Sequence, residues 1–188
     1  ALRQVKEDMP QGFLRRLPLL EEGPLAGYPR IYAIARDLTV AANIYLDAEA
    51  MQRVEDAMRA YPIAPQPLTM AELWALPVML RVCCLQALAQ TVCRITEQPC
   101  EQHWPALPVP AELRNDDVVA NAVLSLRTLA AYDWRAFFEA VSRVENILRD
   151  DPAKSYAGMD RETRDRYRKI VERLSRASGR DELQVAEA

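Results

Sequence analysis

Glycine is scarce in this sequence, with 5 residues among 188, while proline is frequent, with 13. Tight β-hairpin turns depend on glycine at positive φ, so this scarcity argues against a sheet protein with many turns. Proline ends helices and favours extended joints between them. The two counts together predict a helical protein whose helices are separated by proline-containing segments.

Side chains that commonly perform catalysis are also few. The single histidine, His103, lies in a proline-rich stretch that predicts a loop. The sequence contains no Gly-x-Ser-x-Gly motif, no glycine-rich phosphate loop and no dinucleotide-binding fingerprint. Carboxylates are numerous but scattered, so no catalytic acid pair can be singled out. We therefore predict no catalytic residue and no cofactor.

The four cysteines do not form a Cys-x-x-Cys pair. The favoured interpretation is that Cys83, Cys84, Cys93 and Cys100 are reduced, buried thiols, which predicts no metal site. An alternative is a metal site formed by Cys93, Cys100 and His103, although structural zinc normally shows closely paired ligands.

Charge and hydropathy argue against three further possibilities, a nucleic-acid partner, a secretory signal and a membrane span. The net charge of −3 does not support a nucleic-acid partner. The first eight residues carry mixed charge without an apolar core, so no secretory signal is predicted there. The longest apolar run, 73–93, contains Arg81 and two glutamines; because a central arginine costs about 2.5–3.5 kcal/mol on insertion scales, it predicts a buried helix rather than a membrane span.

Apolar spacing of three and four residues predicts a single all-α domain, an irregular bundle of seven or eight helices around a central apolar helix. The segments are N-terminal helices in 1–97, a proline-rich linker or shortened loop in 98–114, and C-terminal helices in 115–188. The predicted N-terminal helices are a first one ending at Pro10, one over 29–46, one capped by Asp47, and the central one over 69–96, which opens with a capping box formed by Thr69 and Glu72. The predicted C-terminal helices are one with a stripe at Val119, Ala122, Val123, Leu126, Leu129 and Ala130, one over 134–148 capped by Asp133, one capped by Asp160 and ended by Gly179 with a stripe at Thr163, Tyr167, Ile170, Val171 and Leu174, and a short one started by Asp181.

Aromatic residues at helical spacing predict the core. The expected core residues are Trp74, Trp134, Phe137, Phe138 and Tyr167. A role in stacking on sugar rings remains the alternative for the two tryptophans. Arg81, inside the central helix, is expected to pair with a carboxylate or a carbonyl oxygen, with ligand binding as the alternative.

Three stretches in order resemble the N-terminal region of the cyclic β-1,2-glucan synthases. They are Gly-Tyr-Pro-Arg-Ile-Tyr at 27–32, the stretch Pro-Leu-Thr-Met-Ala-Glu-Leu-Trp-Ala-Leu-Pro-Val-Met-Leu-Arg at 67–81, and the block 121–179, with its Asp-Trp at 133–134, Phe-Phe-Glu-Ala-Val-Ser at 137–142 and Met-Asp at 159–160. Members of this family are large bacterial inner-membrane enzymes that polymerise glucose from UDP-glucose. The resemblance implies a region on the cytosolic side of the membrane, ahead of the membrane helices and the transferase domain.

The sequence departs from the family pattern at two places. The stretch between Thr96 and Asn115 is shorter than expected, and Arg161 stands where the family has an aromatic residue after Met-Asp. The family's transferase motifs, spaced aspartates and Gln-x-x-Arg-Trp, are absent from this sequence, so no catalytic residue carries over. The resemblance therefore implies a non-catalytic accessory domain of a glucan synthase, with a module that grips linear β-1,2-glucan as the alternative.

Such a domain is expected to contact other domains of the same polypeptide, and glucan or anionic lipid are further candidate partners. The candidate contact residues are Tyr28, Arg30, Arg81, Arg166 and Arg168. Tyr28 and Arg30 equally fit a role in fixing the start of a helix. Arg166 and Arg168 belong to a basic run on the polar side of a helix, which fits either a solvated face with ion pairs or a lipid contact.

Overall fold

The computed structural model describes residues 16–100 and 104–188. Within these ranges the chain forms eight α-helices, one 3-10 turn at Tyr156–Gly158 and no strand, which confirms the all-α prediction. The helices are α1 (Arg30–Ala41), α2 (Ala48–Ala60), α3 (Met70–Ile95), α4 (Asn115–Ala131), α5 (Trp134–Val141), α6 (Arg143–Arg149), α7 (Arg161–Ser178) and α8 (Glu182–Ala186). The helix end predicted before Pro10 lies outside the described residues.

The central helix is α3, as predicted, and α1 and α4 make the most extensive contacts with it. Its start is fixed by a capping box: the Glu72 amide donates to the Thr69 hydroxyl at 3.2 Å, and the Thr69 amide donates to the Glu72 carboxylate at 2.9 Å. This pairing satisfies two amides that would otherwise lack an intrahelical partner. The five predicted N-caps, at positions 47, 69, 133, 160 and 181, each accept a backbone amide through the side chain.

By length and composition α3 is sufficient to cross a membrane. However, 56% of its most apolar window is buried against the rest of the protein, as expected for a core helix. Arg81 and Gln86, in its middle, are only 7% and 8% exposed, so they face other helices.

Helix α1 ends at Ala41, five residues before the predicted end. Asn43 and Ile44 adopt φ of 52° and 62°, a left-handed conformation that stops an α-helix. Ser125 of α4 holds this bend, because its hydroxyl donates to the Ile44 carbonyl and accepts from the Leu46 amide, both at 2.7 Å. The bend brings Ile44 and Leu46 fully into the core.

The single helix predicted over 134–148 is two helices, α5 and α6. Ser142 between them is extended, with ψ of 114°, and its hydroxyl accepts the Glu145 amide at 3.3 Å. Serine competes for backbone amides in this way and starts a new helix instead of continuing the old one.

Two predicted apolar stripes are rotated from the observed buried faces. On α4 the buried residues are Val118, Ala122, Ser125 and Leu129, whereas Val123 is 45% exposed. On α7 Val171 is the buried residue. The prediction that Tyr167 is a core residue is wrong, since it is 44% exposed; it contacts Tyr156 at its edge, with ring centroids 5.9 Å apart.

Candidate functional site

A surface cleft of about 420 Å³ lies where α5 and α7 meet the first turns of α3. We call it the Trp74 cleft. Its lining residues are Trp74, Arg135, Phe138, Glu139, Arg161, Glu162, Asp165 and Arg168. A second hollow of about 400 Å³ shares Arg135, Glu139 and Arg161 with it and extends it towards Asp133.

The aromatic part of the cleft is a stacked pair. The rings of Trp74 and Phe138 are 4.3 Å apart between centroids and inclined by 21°. Phe138 is 2% exposed and Trp74 is 43% exposed, so Phe138 backs an indole that faces solvent. The prediction that Trp74 is a core residue is therefore wrong, because its position at the start of α3 places it at the cleft.

The other predicted aromatic core residues lie where they were expected. Phe137 and Phe138 are each 2% exposed. Trp134 is half-buried, and its indole N–H donates to the Leu129 carbonyl at 2.9 Å. The Trp74 indole N–H has no such acceptor among the described residues, which distinguishes the two tryptophans chemically.

Arg30 fixes the end of α3 that carries Trp74. Its guanidinium forms a bidentate pair with buried Glu72, at 2.9 and 2.7 Å, and also donates to the carbonyl oxygens of Gln66 and Pro67. Hydrogen bonding to Glu72 raises the pKa of Arg30. These contacts support the interpretation that Arg30 sets the start of a helix. Tyr28, beside it, is half-buried against the rings of Tyr32 and Trp104.

Beneath the cleft lies a buried carboxylate, Glu145. We call this residue and its four hydrogen-bond donors the Glu145 cluster. It is completely buried and accepts four hydrogen bonds at 2.7 to 3.2 Å. The donors are Arg149, Tyr156, Arg164 and Arg168. Burial acts to raise the pKa of Glu145, but the hydrogen bonds from Tyr156, Arg149 and Arg168 outweigh it, and the pKa lies below its ordinary value. The sequence analysis did not identify Glu145. The signal that could have identified it is a carboxylate between the apolar positions Val144 and Leu148.

Arg168 joins this cluster to the cleft. Its side chain is 11% exposed, pairs with Glu145 at 2.7 Å and lies 5.4 Å from the centre of the Phe138 ring. The prediction that it lies on the polar side is therefore wrong. Arg166 does lie there: it is 70% exposed and pairs with Glu162 one turn earlier.

The rim of the cleft offers unused donors. Arg135 and Arg161 are exposed, and within the described part of the chain neither side chain makes a hydrogen bond or an ion pair. Together with Arg168 they face three carboxylates, those of Glu139, Glu162 and Asp165. The lining is thus balanced in charge, and it carries both donors and acceptors.

Arg81 lies away from the cleft, buried between α3 and α4. Its guanidinium donates to the Leu129 carbonyl at 3.3 Å, which confirms the expectation of a carbonyl partner.

Two of the cysteines are buried and two are not. Burial raises the pKa of Cys83 and Cys84, that of Cys84 to about 12. Burial was predicted for all four and is wrong for Cys93 and Cys100, which are half-exposed and exposed. No group of three or more His, Cys, Asp or Glu residues in the described ranges is placed to hold a metal, and His103 lies outside them.

Comparison with known proteins finds similarity over part of the chain. A 69-residue stretch, 37% of this chain, is 38% identical to the cyclic beta-(1,2)-glucan synthase NdvB of Rhizobium meliloti strain 1021. The match spans 2% of that protein's length. No protein-family model matches the chain, and no solved structure matches it. The similarity agrees in part with the resemblance noted in the sequence.

Proposed function

We propose that this chain is a non-catalytic accessory region of a larger synthase of cyclic β-1,2-glucan. The similarity to a protein named for that activity supports the assignment. In this proposal the region lies on the cytosolic side of the bacterial inner membrane and contacts another part of the same polypeptide.

The observation that carries the docking role is an exposed apolar strip on α7. Tyr167, Ile170 and Leu174 are 44%, 42% and 48% exposed, and their spacing places them on one face of the helix. Contiguous apolar surface of this kind commonly marks an interaction site. We call these three residues the α7 strip.

Charges beside the α7 strip indicate the kind of surface that would cover it. Ile170 lines a hollow of about 700 Å³ together with four cations, Arg16, Lys169, Arg173 and Arg176, and a single carboxylate, that of Glu172. Lys169 pairs with Asp165 and Arg176 with Glu172, so the basic excess of the lining rests on Arg16 and Arg173. A complementary surface is apolar at its centre and acidic at its rim. We therefore propose that the α7 strip is covered by another surface of the same synthase, one that is apolar with an acidic rim. Anionic lipid is the less favoured occupant, because it would bind without an apolar protein surface.

The test uses the full-length synthase with Ile170→Glu and Leu174→Glu. Both residues are exposed in this chain, so we expect protein level to hold while the yield of glucan falls. Val123→Glu is the matched control, because Val123 is 45% exposed on α4, outside the strip. An unchanged yield in the double variant would contradict docking through α7. If the double variant lost binding to phosphatidylglycerol vesicles while its contacts with the rest of the synthase were unchanged, the strip would be a lipid contact. That result would overturn the proposed occupant.

A second candidate function, glucan binding, is favoured by a different observation, the exposed Trp74 in its cleft.

A further inference from the structure

We propose that the Trp74 cleft is a binding site for a neutral carbohydrate chain, namely linear β-1,2-linked glucan. The identity of the sugar rests on the proposed function, whereas the site and its chemical class rest on the residues that line the cleft.

The stacked aromatic pair supplies a platform for a sugar ring. One face of a pyranose ring consists largely of C–H groups, and it packs on an aromatic ring while the hydroxyl groups point outward. Trp74 offers such a surface, since 43% of it is exposed and Phe138 stacks against it at 4.3 Å. Phe138 is itself backed by Arg168, which the buried Glu145 holds at 2.7 Å, so the platform is fixed before any ligand arrives.

The polar lining matches the hydroxyl groups of a sugar. Each hydroxyl both donates and accepts, so a sugar site needs donors and acceptors side by side. Arg135 and Arg161 have no side-chain partner among the described residues and are available as donors. Both carboxylate oxygens of Glu139 and of Asp165 already pair with arginine or lysine, but each oxygen has two lone pairs, so the two carboxylates keep capacity for further donors.

The carboxylates of the lining favour a neutral ligand over an anionic one. The lining carries three arginines and three carboxylates. A nucleotide or a lipid phosphate would meet those carboxylates at close range, and like charges placed together cost free energy. The shape of the site favours a chain over a single sugar, because the adjoining hollow shares three residues with the cleft and lengthens it.

Trp74 and Trp134 differ in exposure and in how the indole N–H is satisfied. Trp134 satisfies its indole N–H inside the protein and is half-buried, as a core residue should be. Trp74 is 43% exposed, its indole N–H has no acceptor among the described residues, and it lies beside the charged side chains of the cleft, as a platform for a ligand would.

The test measures binding of a linear β-1,2-linked gluco-oligosaccharide to the complete chain by calorimetry and by tryptophan fluorescence. We expect saturable binding with a dissociation constant of about 1 mM or tighter. Trp74→Ala and Arg161→Ala should each weaken binding by about tenfold or more. Tyr45→Ala is the matched control, since Tyr45 is an aromatic residue that is 39% exposed outside the cleft, and it should bind as the unchanged chain does.

The remaining outcomes each decide against the proposal. No saturable binding, or an unchanged constant in Arg161→Ala, would overturn the site even if Trp74→Ala failed to fold. Binding of UDP in place of the oligosaccharide would overturn the neutral class, and equal affinity for a β-1,4-linked oligosaccharide would overturn the assignment of linkage. These failures are distinguishable from a failure of the proposed function, which is measured by the α7 variants.

Discussion

Glu145 is the residue on which the candidate site most depends. A buried carboxylate is costly unless it is paired and hydrogen-bonded, and this one has three arginines and a tyrosine around it. Arg168 also contacts the Phe138 ring, so its ion pair with the buried Glu145 helps to hold the aromatic platform in place.

Arg168 and Arg166 therefore differ in what they contribute to stability. We expect Arg168→Ala to lower the free energy of unfolding by about 2–3 kcal/mol, because it leaves Glu145 short of a partner. Arg166→Ala should change it by less than about 0.5 kcal/mol, since its ion pair is on the surface. Urea denaturation of the two variants makes the comparison. Equal effects would show that Arg168 does not hold the cluster.

The local sequence does not separate these two arginines. They lie two residues apart in one basic run, and helical periodicity alone assigned both to the polar side. Arg168 is buried because it pairs with Glu145 of α6. This contact joins two different helices, so the periodicity of α7 alone does not show it.

At the scale of elements, α8 ties the C-terminal helices to the start of α3. Glu182, the first residue of α8, accepts the Met70 amide at 2.7 Å. Burial raises the pKa of Glu182 to about 7, against the opposing effect of the hydrogen bond from Met70, with Glu172 and Glu72 adding to the rise and Arg176 reducing it.

This raised pKa predicts a pH dependence. The folded protein binds the proton on the Glu182 carboxyl more tightly than the unfolded chain does. The resulting stabilisation of the folded state is complete below about pH 4.5, and it is lost as the pH rises through about 7. We expect the unfolding free energy to fall by up to about 3 kcal/mol between these limits. Glu182→Gln keeps an acceptor for Met70 and should remove the dependence. Parallel pH profiles for the variant and the unchanged chain would contradict the assignment.

Element boundaries show where sequence patterns succeed. The capping box at Thr69 and the caps at Asp47, Asp160 and Asp181 were predicted and are confirmed, as is the end of α7 at Gly179, with φ of 70°. Caps are local chemistry, so the signal lies within a few residues. The end of α1 was missed because Ser125 of α4 holds it. The break at Ser142 was missed because a serine fits both a helix interior and a cap.

At the scale of the whole molecule, α3 connects the two halves of the sequence. It packs between α1 and α4, and Ser125 bonds across to Ile44 and Leu46. The segment between α3 and α4 also joins the core: Leu107 is 4% exposed, and the Trp104 ring lies 4.6 Å from that of Tyr32.

We therefore expect the described helices on the two sides of the connecting segment, in 16–97 and 115–188, to unfold as one unit. The three tryptophans of the chain lie in the cleft, in the connecting segment and in α5, so their fluorescence reports on all three places. Thermal unfolding followed by helical circular dichroism and by tryptophan fluorescence should give coincident midpoints. Two separate transitions would show two independent units and would contradict the prediction of a single domain.

The sequence by itself determined the helical class, the central helix and most caps, because each of these depends on composition or on spacing within one segment. It also supplied the partial resemblance to glucan synthases. The tertiary structure decided which faces are buried, and so it moved Trp74 and Tyr167 to the surface and Arg168 inward. The physical reason is that a side chain's exposure depends on which helices pack against it: Trp74 and Trp134 have similar apolar neighbours in the sequence, but only Trp74 opens onto a charged cleft between α5 and α7.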